Sequence, residues 1–283
     1  MKHEYSLAHL TVLSLSPPQM IQVAARTGYS YVSLRLTKVT PDEPFYNLAH
    51  DRALMRETRA HLADTGVKVL DVELFRMDPT LGPETFVPVL DAAAELGARQ
   101  IIAQLPDPDR ERATDRFAAL CDLAKPSGIF VSLEFPHWTE TGSLSAAAGI
   151  VNAANRTNAG ILVDMLHFNR SKSTVAELKS LPSHWFKFAH VCDAPCEIPP
   201  TRAGVIRTAR DERLFPGEGE IDVKEILACL PSDIPYALEI PRRALTKAIG
   251  PEEVARLALC VARSHLDDIQ EERTVRFIRR ATH

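Results

Sequence analysis

The chain has no apolar run near the roughly 20 residues that cross a bilayer, so the sequence offers no transmembrane helix. Residues 1–10 do not pair a basic start with an apolar core, and no signal peptide is expected. Cysteine is scarce and odd in number, five in 283 residues with scattered spacing. That excludes a disulfide framework and suits reduced thiols in a cytoplasmic protein. Cys192 and Cys196 stand close together, but no second pair of zinc-ribbon spacing exists, so both read as small buried thiols. A basic surplus is also missing. The 33 Lys and Arg against 37 Asp and Glu leave a net charge of −4, which argues against a nucleic-acid surface. Glycine is absent where a dinucleotide fold needs it: after Leu13 the chain reads Ser-Leu-Ser-Pro-Pro.

What is present is an alternation. With 45% hydrophobic and 25% charged residues the chain can bury a substantial core, and its length allows one large domain or two ordinary ones. Short apolar or β-branched runs predict strands at 6–13, 31–36, 67–75, 100–105, 129–135, 160–167, 185–192 and 236–240. Segments of helical period lie between them, at 17–27, 48–64, 83–96, 110–124, 143–155, 175–181, 223–230 and 251–266, with a charged tail extending the last. Strict β/α alternation implies a parallel sheet, because each parallel connection needs a crossover. Eight units over this length predict an α/β fold, one closed (β/α)8 TIM barrel spanning 1–283 as a single domain. Residues 193–219 carry no strong periodic pattern and are expected to form an irregular lid over the barrel mouth.

In such a barrel the chemistry gathers at the carboxyl ends of the strands. Strand five ends at Glu134, strand six at Asp164 with His167 just beyond, strand seven at His190 and strand eight at Glu239. A lone strand-end carboxylate is more often an ion pair or a cap. Four successive strands ending in ligand-type residues place three carboxylates on one rim, where they repel unless a cation neutralises them. Two Glu, one Asp and one His make an oxygen-rich site suited to one Mn²⁺, Mg²⁺ or Co²⁺ ion, with Zn²⁺ also compatible. The N-terminal half is less specific. Asp71, Glu73, His9, Arg35 and Gln104 sit at or near other strand ends, and His137 and Trp138 follow strand five.

The stretches "SLEF", "VDMLHFNRS", "FAHVCDAP", "RLFPGEGEID" and "ALEI" resemble the xylose isomerase-like barrels. The resemblance is to the sugar phosphate isomerase/epimerase group within them, which includes ketose 3-epimerases, inosose isomerases and dehydratases, and hydroxypyruvate isomerase. It is close in the C-terminal half, and the strand–helix register extends it over nearly the whole chain. It implies that Glu134, Asp164, His190 and Glu239 bind one divalent metal and that Glu134 and Glu239 also form the acid/base pair. It further implies that His167 faces substrate hydroxyls, a structural hydrogen bond being the alternative. Arg213, on a loop folded over the pocket, would bind substrate oxygens, a solvated loop charge being the alternative. Gly217 and Gly219 serve the turn, and Asp222 is placed to cap the next helix.

The activity implied is metal-dependent isomerisation or epimerisation of a sugar, keto-polyol or sugar phosphate through an enediolate, a role in carbohydrate metabolism. Dehydration of an inosose or of dehydroshikimate is the alternative. An apurinic endonuclease is remote, because that branch needs further histidines where this chain has Arg35 and Gln104, and an Asp-x-His before Gly217. A small-molecule sugar or polyol partner is expected, with neither nucleic acid nor membrane. The basic tail at 273–283 is compatible with a homodimer.

Overall fold

The computed structural model describes residues 3–266, so the expected helical tail and its part in a dimer lie outside the described residues. Nine parallel strand segments are present among them: β1 (Tyr5–Ala8), β2 (Tyr31–Arg35), β3 (Lys68–Arg76), β4 (Gln100–Gln104), β5 (Phe130–Leu133), β6 (Ala159–Ile161), β7 (Val163–Asp164), β8 (Ala189–Val191) and β9 (Tyr236–Leu238). They pair in chain order, and β1 joins both β2 and β9. β6 and β7 are halves of the expected sixth strand, parted at Leu162: β6 pairs with β5 and β7 with β8. The Leu162 N–H donates to the Leu133 carbonyl at 3.0 Å. The sheet therefore forms a nearly closed barrel ringed by helices, a TIM barrel fold.

Local chemistry explains where the helices begin and end. The helix expected from residue 48 starts at Arg52, because the Asp51 carboxylate accepts from the Ala53 and Leu54 N–H groups and so caps it. It stops at Gly66, which takes the left-handed conformation at φ 73°.

Three expectations need correction. Residues His9–Val12 form a 3-10 turn and do not extend β1. The expected strand end at 165–167 is the first turn of a helix, Met165–Arg170, whose N-cap is Asp164 itself. The lid is not irregular: it contains a helix, Arg202–Asp211, capped by the Thr201 hydroxyl, which accepts from the Gly204 N–H at 3.1 Å. A short helix at Arg243–Ile249 was likewise unexpected. None of these segments shows a long apolar stripe, so periodicity did not reveal them.

Side-chain alternation along the strands decides where the site lies. Leu162, Phe188, Ala237 and Ile102 belong to a small buried cluster with Tyr31, Leu70 and Leu74, separate from the larger core. Their neighbours Ile161, Val163, Ala189, Leu238 and Ile101 belong to that larger core, where the strands meet the helices. Successive strand residues face opposite sides, so the small cluster plugs the barrel interior. Two residues beyond Leu162, Phe188, Ala237 and Ile102 come Asp164, His190, Glu239 and Gln104. The polar groups thus occupy the next inward position above the plug. No helix among the described residues is long and apolar enough to cross a membrane.

Candidate functional site

Glu134 and Glu239 each follow the last residue of a strand, while Asp164 and His190 pair directly across β7 and β8. Ligand-type atoms of these four buried residues lie within 4.8 Å of one another. The His190 Nδ1 stands 3.3 Å from Glu239 Oε2, and 3.7 Å from both Asp164 Oδ2 and Glu134 Oε1. These are charge contacts, and neither ring nitrogen of His190 has a well-formed hydrogen-bond partner. A buried nitrogen facing three carboxylates without a bond of its own is the donor set a divalent cation takes. The residues present fit such an ion.

The electrostatics agree. Burial opposes charge on His190, but Glu239, Asp164 and Glu134 outweigh it and push its pKa well above the ordinary value. Burial likewise would raise Asp164 and Glu239, yet Arg213 and the histidines hold Asp164 well below the usual carboxylate range, and His190 with Arg213 holds Glu239 at about 2. Arg213 is therefore no solvated loop charge. It is 2% exposed, and its guanidinium meets Asp164 Oδ2 at 2.6 Å and Glu239 Oε2 at 2.8 Å. Its Nε also donates to the Ala209 carbonyl at 2.8 Å, fixing the end of the lid helix to the site.

His167 lies beside the tetrad. Its backbone N–H donates to Asp164 Oδ1 at 2.9 Å, its Nε2 is 4.0 Å from Glu134 Oε1, and its buried Nδ1 has no hydrogen-bond partner among the described residues. Trp138 stands edge-on to it with ring centroids 5.0 Å apart. Gln104 donates to Glu134 Oε2 at 2.6 Å, which turns Oε1 toward His190. A cavity of about 40 Å³ adjoins these groups, and Ala209 and Arg210 of the lid helix border it. Beyond lies a larger cavity of about 640 Å³, with Leu10, Arg35 and Arg210 bordering both.

One important residue carried no signal of its own in the sequence. Asp193 is 1% exposed and accepts the N–H groups of Ala194, Gly217, Gly219 and Ile221 at 2.8–3.0 Å. One carboxylate thus folds the "PGEGEI" turn. Gly217 has φ 88°, and a Cβ on Gly219 would collide with Asp193 and the Ala194 carbonyl, so both glycines are required. Asp222 caps the following helix as expected, accepting from the Glu225 N–H at 2.9 Å. Cys192 is buried, but Cys196 is exposed, which corrects its reading as a buried thiol. Arg35 pairs with Glu73 at 3.1 Å and Glu43 at 3.5 Å. Asp71 accepts from the Ser33 hydroxyl deeper in the barrel, and burial pushes its carboxyl up to about 7.

His9 is structural. Its Nε2–H donates to the Leu15 carbonyl at 2.9 Å and its Nδ1 accepts from the Arg35 N–H at 3.1 Å, a neutral arrangement. Burial lowers its pKa to about 4 from an ordinary 6.5. The folded pKa is depressed, so the fold binds fewer protons than the unfolded chain. Its stability contribution is whole above pH 6.5 and is lost as pH falls toward 4, amounting to about 3 kcal/mol. Urea unfolding from pH 7 to pH 4 should show this loss, and His9→Gln should flatten it. A parent and variant with the same pH slope would refute the assignment.

A parallel barrel with an Asp/Glu/His tetrad on its C-terminal rim defines a class of proteins, the TIM barrels with a candidate metal centre. Residues 21–265 match the model of the xylose isomerase-like TIM barrel family, and the chain belongs to that family. The inosose isomerase of Bacillus velezensis is 25% identical over 229 residues, spanning 75% of this chain and 78% of that protein. The match to the inosose isomerase of Bacillus subtilis is 27% identical over 157 residues and spans about half of that protein, 54%. In shape, the chain resembles the IolI protein with a bound zinc atom at a TM-score of 0.78 and 20% identity, covering 95% of this chain and 99% of that one. It resembles the D-allulose 3-epimerase from Methylomonas sp. at 0.69 and 17% identity, covering 93% and 97%. At such identities the likeness in shape establishes the fold.

Proposed function

We propose that the protein is a divalent-metal-dependent isomerase or epimerase of a sugar or keto-polyol, working through an enediolate. The observation that carries this reading is the His190 Nδ1 set among the carboxylates of Glu134, Asp164 and Glu239, with a cavity beside them. Those four residues would hold one ion, Mn²⁺, Mg²⁺ or Co²⁺ being favoured by the oxygen-rich set and Zn²⁺ being compatible. When bound, such an ion polarises a carbonyl and its neighbouring hydroxyl.

The chain's own residues supply the rest. Glu134 has no arginine partner among the described residues and is oriented by Gln104, so its Oε1 is the better-placed proton acceptor. Glu239, kept ionised by His190 and Arg213, is its partner for returning a proton to carbon. Return to the same carbon epimerises, and return to its neighbour isomerises. His167 and Arg213 border the cavity and contact substrate hydroxyls or carbonyl oxygens, and Trp138 supplies an apolar wall. The relatives named inosose isomerase and D-allulose 3-epimerase support this class of substrate.

The test is a screen of ketoses, ketose phosphates, keto-sugar acids, inososes and dehydroshikimate in D₂O with Mn²⁺. Deuterium appearing at carbon without loss of water is the expected result. Loss of water would replace the reading with a dehydratase, and no exchange on any substrate would overturn it.

A further inference from the structure

Four arginines border the small cavity beside the tetrad: Arg35, Arg76, Arg210 and Arg213. Two are matched. Arg213 meets Asp164 and Glu239, and Arg35 meets Glu73 and Glu43. Arg76 and Arg210 form no ion pair or side-chain hydrogen bond among the described residues. The Nε of Arg76, the last residue of β3, is buried with no acceptor among the described residues. Arg210 reaches the cavity from the lid helix, where burial and the nearby positive charge of Arg35 lower its pKa. The acids within electrostatic reach have other partners: Asp78, near Arg76, accepts from the Thr80 N–H and hydroxyl, while of those near Arg210, Glu43 is engaged by Arg35 and Asp211 faces Arg243.

Folded proteins leave very few buried donors unsatisfied, and the Arg76 Nε is such a donor. Together with the partly buried guanidinium of Arg210, which borders the same cavity from another element, it calls for an anion. A planar guanidinium fork matches a carboxylate or a phosphate in bidentate geometry, which a sugar hydroxyl cannot reproduce. The approach to the site has a basic excess. Arg35, Arg210, Arg242, Arg243 and Lys247 border the larger cavity against Asp42, Glu43 and Asp211. This local excess stands in a chain of net charge −4.

We propose that Arg76 and Arg210 form an anion subsite next to the tetrad, so that the substrate is an acidic polyol carrying a carboxylate or a phosphate and not a neutral sugar. The inference rests on the catalytic reading above for what happens at the tetrad, but not for the binding of the anion. Because Arg210 belongs to the lid helix and Arg76 to the barrel, the anion also ties the lid to the barrel.

The test uses two matched sets of unreactive polyols: myo-inositol, quinate and myo-inositol 1-phosphate, and the acyclic glucitol, gluconate and glucitol 6-phosphate. Each is titrated calorimetrically into the Mn²⁺-treated protein. In at least one set an anion should bind on the order of tenfold to a hundredfold more tightly than the neutral member, as expected for charge-assisted hydrogen bonds. Whether the carboxylate or the phosphate leads identifies the group recognised. Arg76→Met and Arg210→Met should each remove most of that preference and leave the neutral polyol unchanged, with circular dichroism confirming the fold. Equal affinity for neutral and anionic members in both sets, binding of none of them, or a preference that survives both substitutions would overturn the subsite. The readout is binding, so it separates the two readings: an anion preference in a protein that exchanges no deuterium leaves the subsite standing and the proposed reaction fallen. Deuterium exchange without an anion preference does the reverse.

Discussion

Glu134→Gln and Glu239→Gln should each lower kcat by at least about 10²–10⁴-fold, the span typical of general acid/base work. Both variants should still take up a metal, because an amide oxygen can coordinate while the amide cannot accept the proton. The environments of the two side chains differ, and this shapes the controls. Gln104 holds Glu134 Oε2, so a glutamine at 134 has to present its amide group to another amide. Glu239 Oε2 faces Arg213, and a glutamine there keeps a carbonyl for the guanidinium to contact. Metal content by mass spectrometry and kcat on the same preparation decide the matter. A variant that holds metal and turns over normally would remove that glutamate from the acid/base pair. His167→Ala supplies the contrast. Its imidazole borders the cavity outside the tetrad, so the variant should keep its metal and mainly raise KM. Loss of the metal in that variant would make His167 a ligand.

The tetrad was legible in the sequence for a simple reason. Each member lies at the end of a strand whose apolar alternation is visible locally, as in "GILVD" and "YALE", and barrel closure then brings the strand ends together. What was not legible depends on contacts made by the lid. Arg213 and Asp164 are 49 residues apart, and nothing near either marks the partner. The helix Arg202–Asp211 has a glycine in its first turn and few apolar residues, so its pattern is weak, yet it delivers both Ala209 and Arg210 to the cavity. Asp193 reads as one more loop acid until the turn at 217–221 folds around it. Arg76 closes a strand that also carries Lys68, Asp71 and Glu73, and nothing in that pattern sets it apart, but its Nε is buried at the rim. The alternation of a strand reports which face a residue takes. It does not report what a distant loop will lay across that face.

Arg213→Met should strongly destabilise the metal-free protein. The guanidinium is 2% exposed and faces two buried carboxylates, so removing it leaves Asp164 and Glu239 with His190 as their remaining close cation. Breaking a buried ion pair by deleting one partner typically costs about 3–5 kcal/mol, because the other charge stays desolvated. Methionine retains the length and apolar stem of the side chain, so little of this loss comes from packing. Urea unfolding in the presence of a chelator should show the full deficit. Saturating Mn²⁺ should then narrow the gap between parent and variant, since a cation bound by Glu134, Asp164, His190 and Glu239 neutralises the same carboxylates and stabilises the fold by mass action. The linkage makes the measurement discriminating. A variant as stable as the parent in chelator would show that Arg213 does not balance the tetrad. A variant whose deficit is unchanged by Mn²⁺ would show that the tetrad does not take the ion its geometry fits.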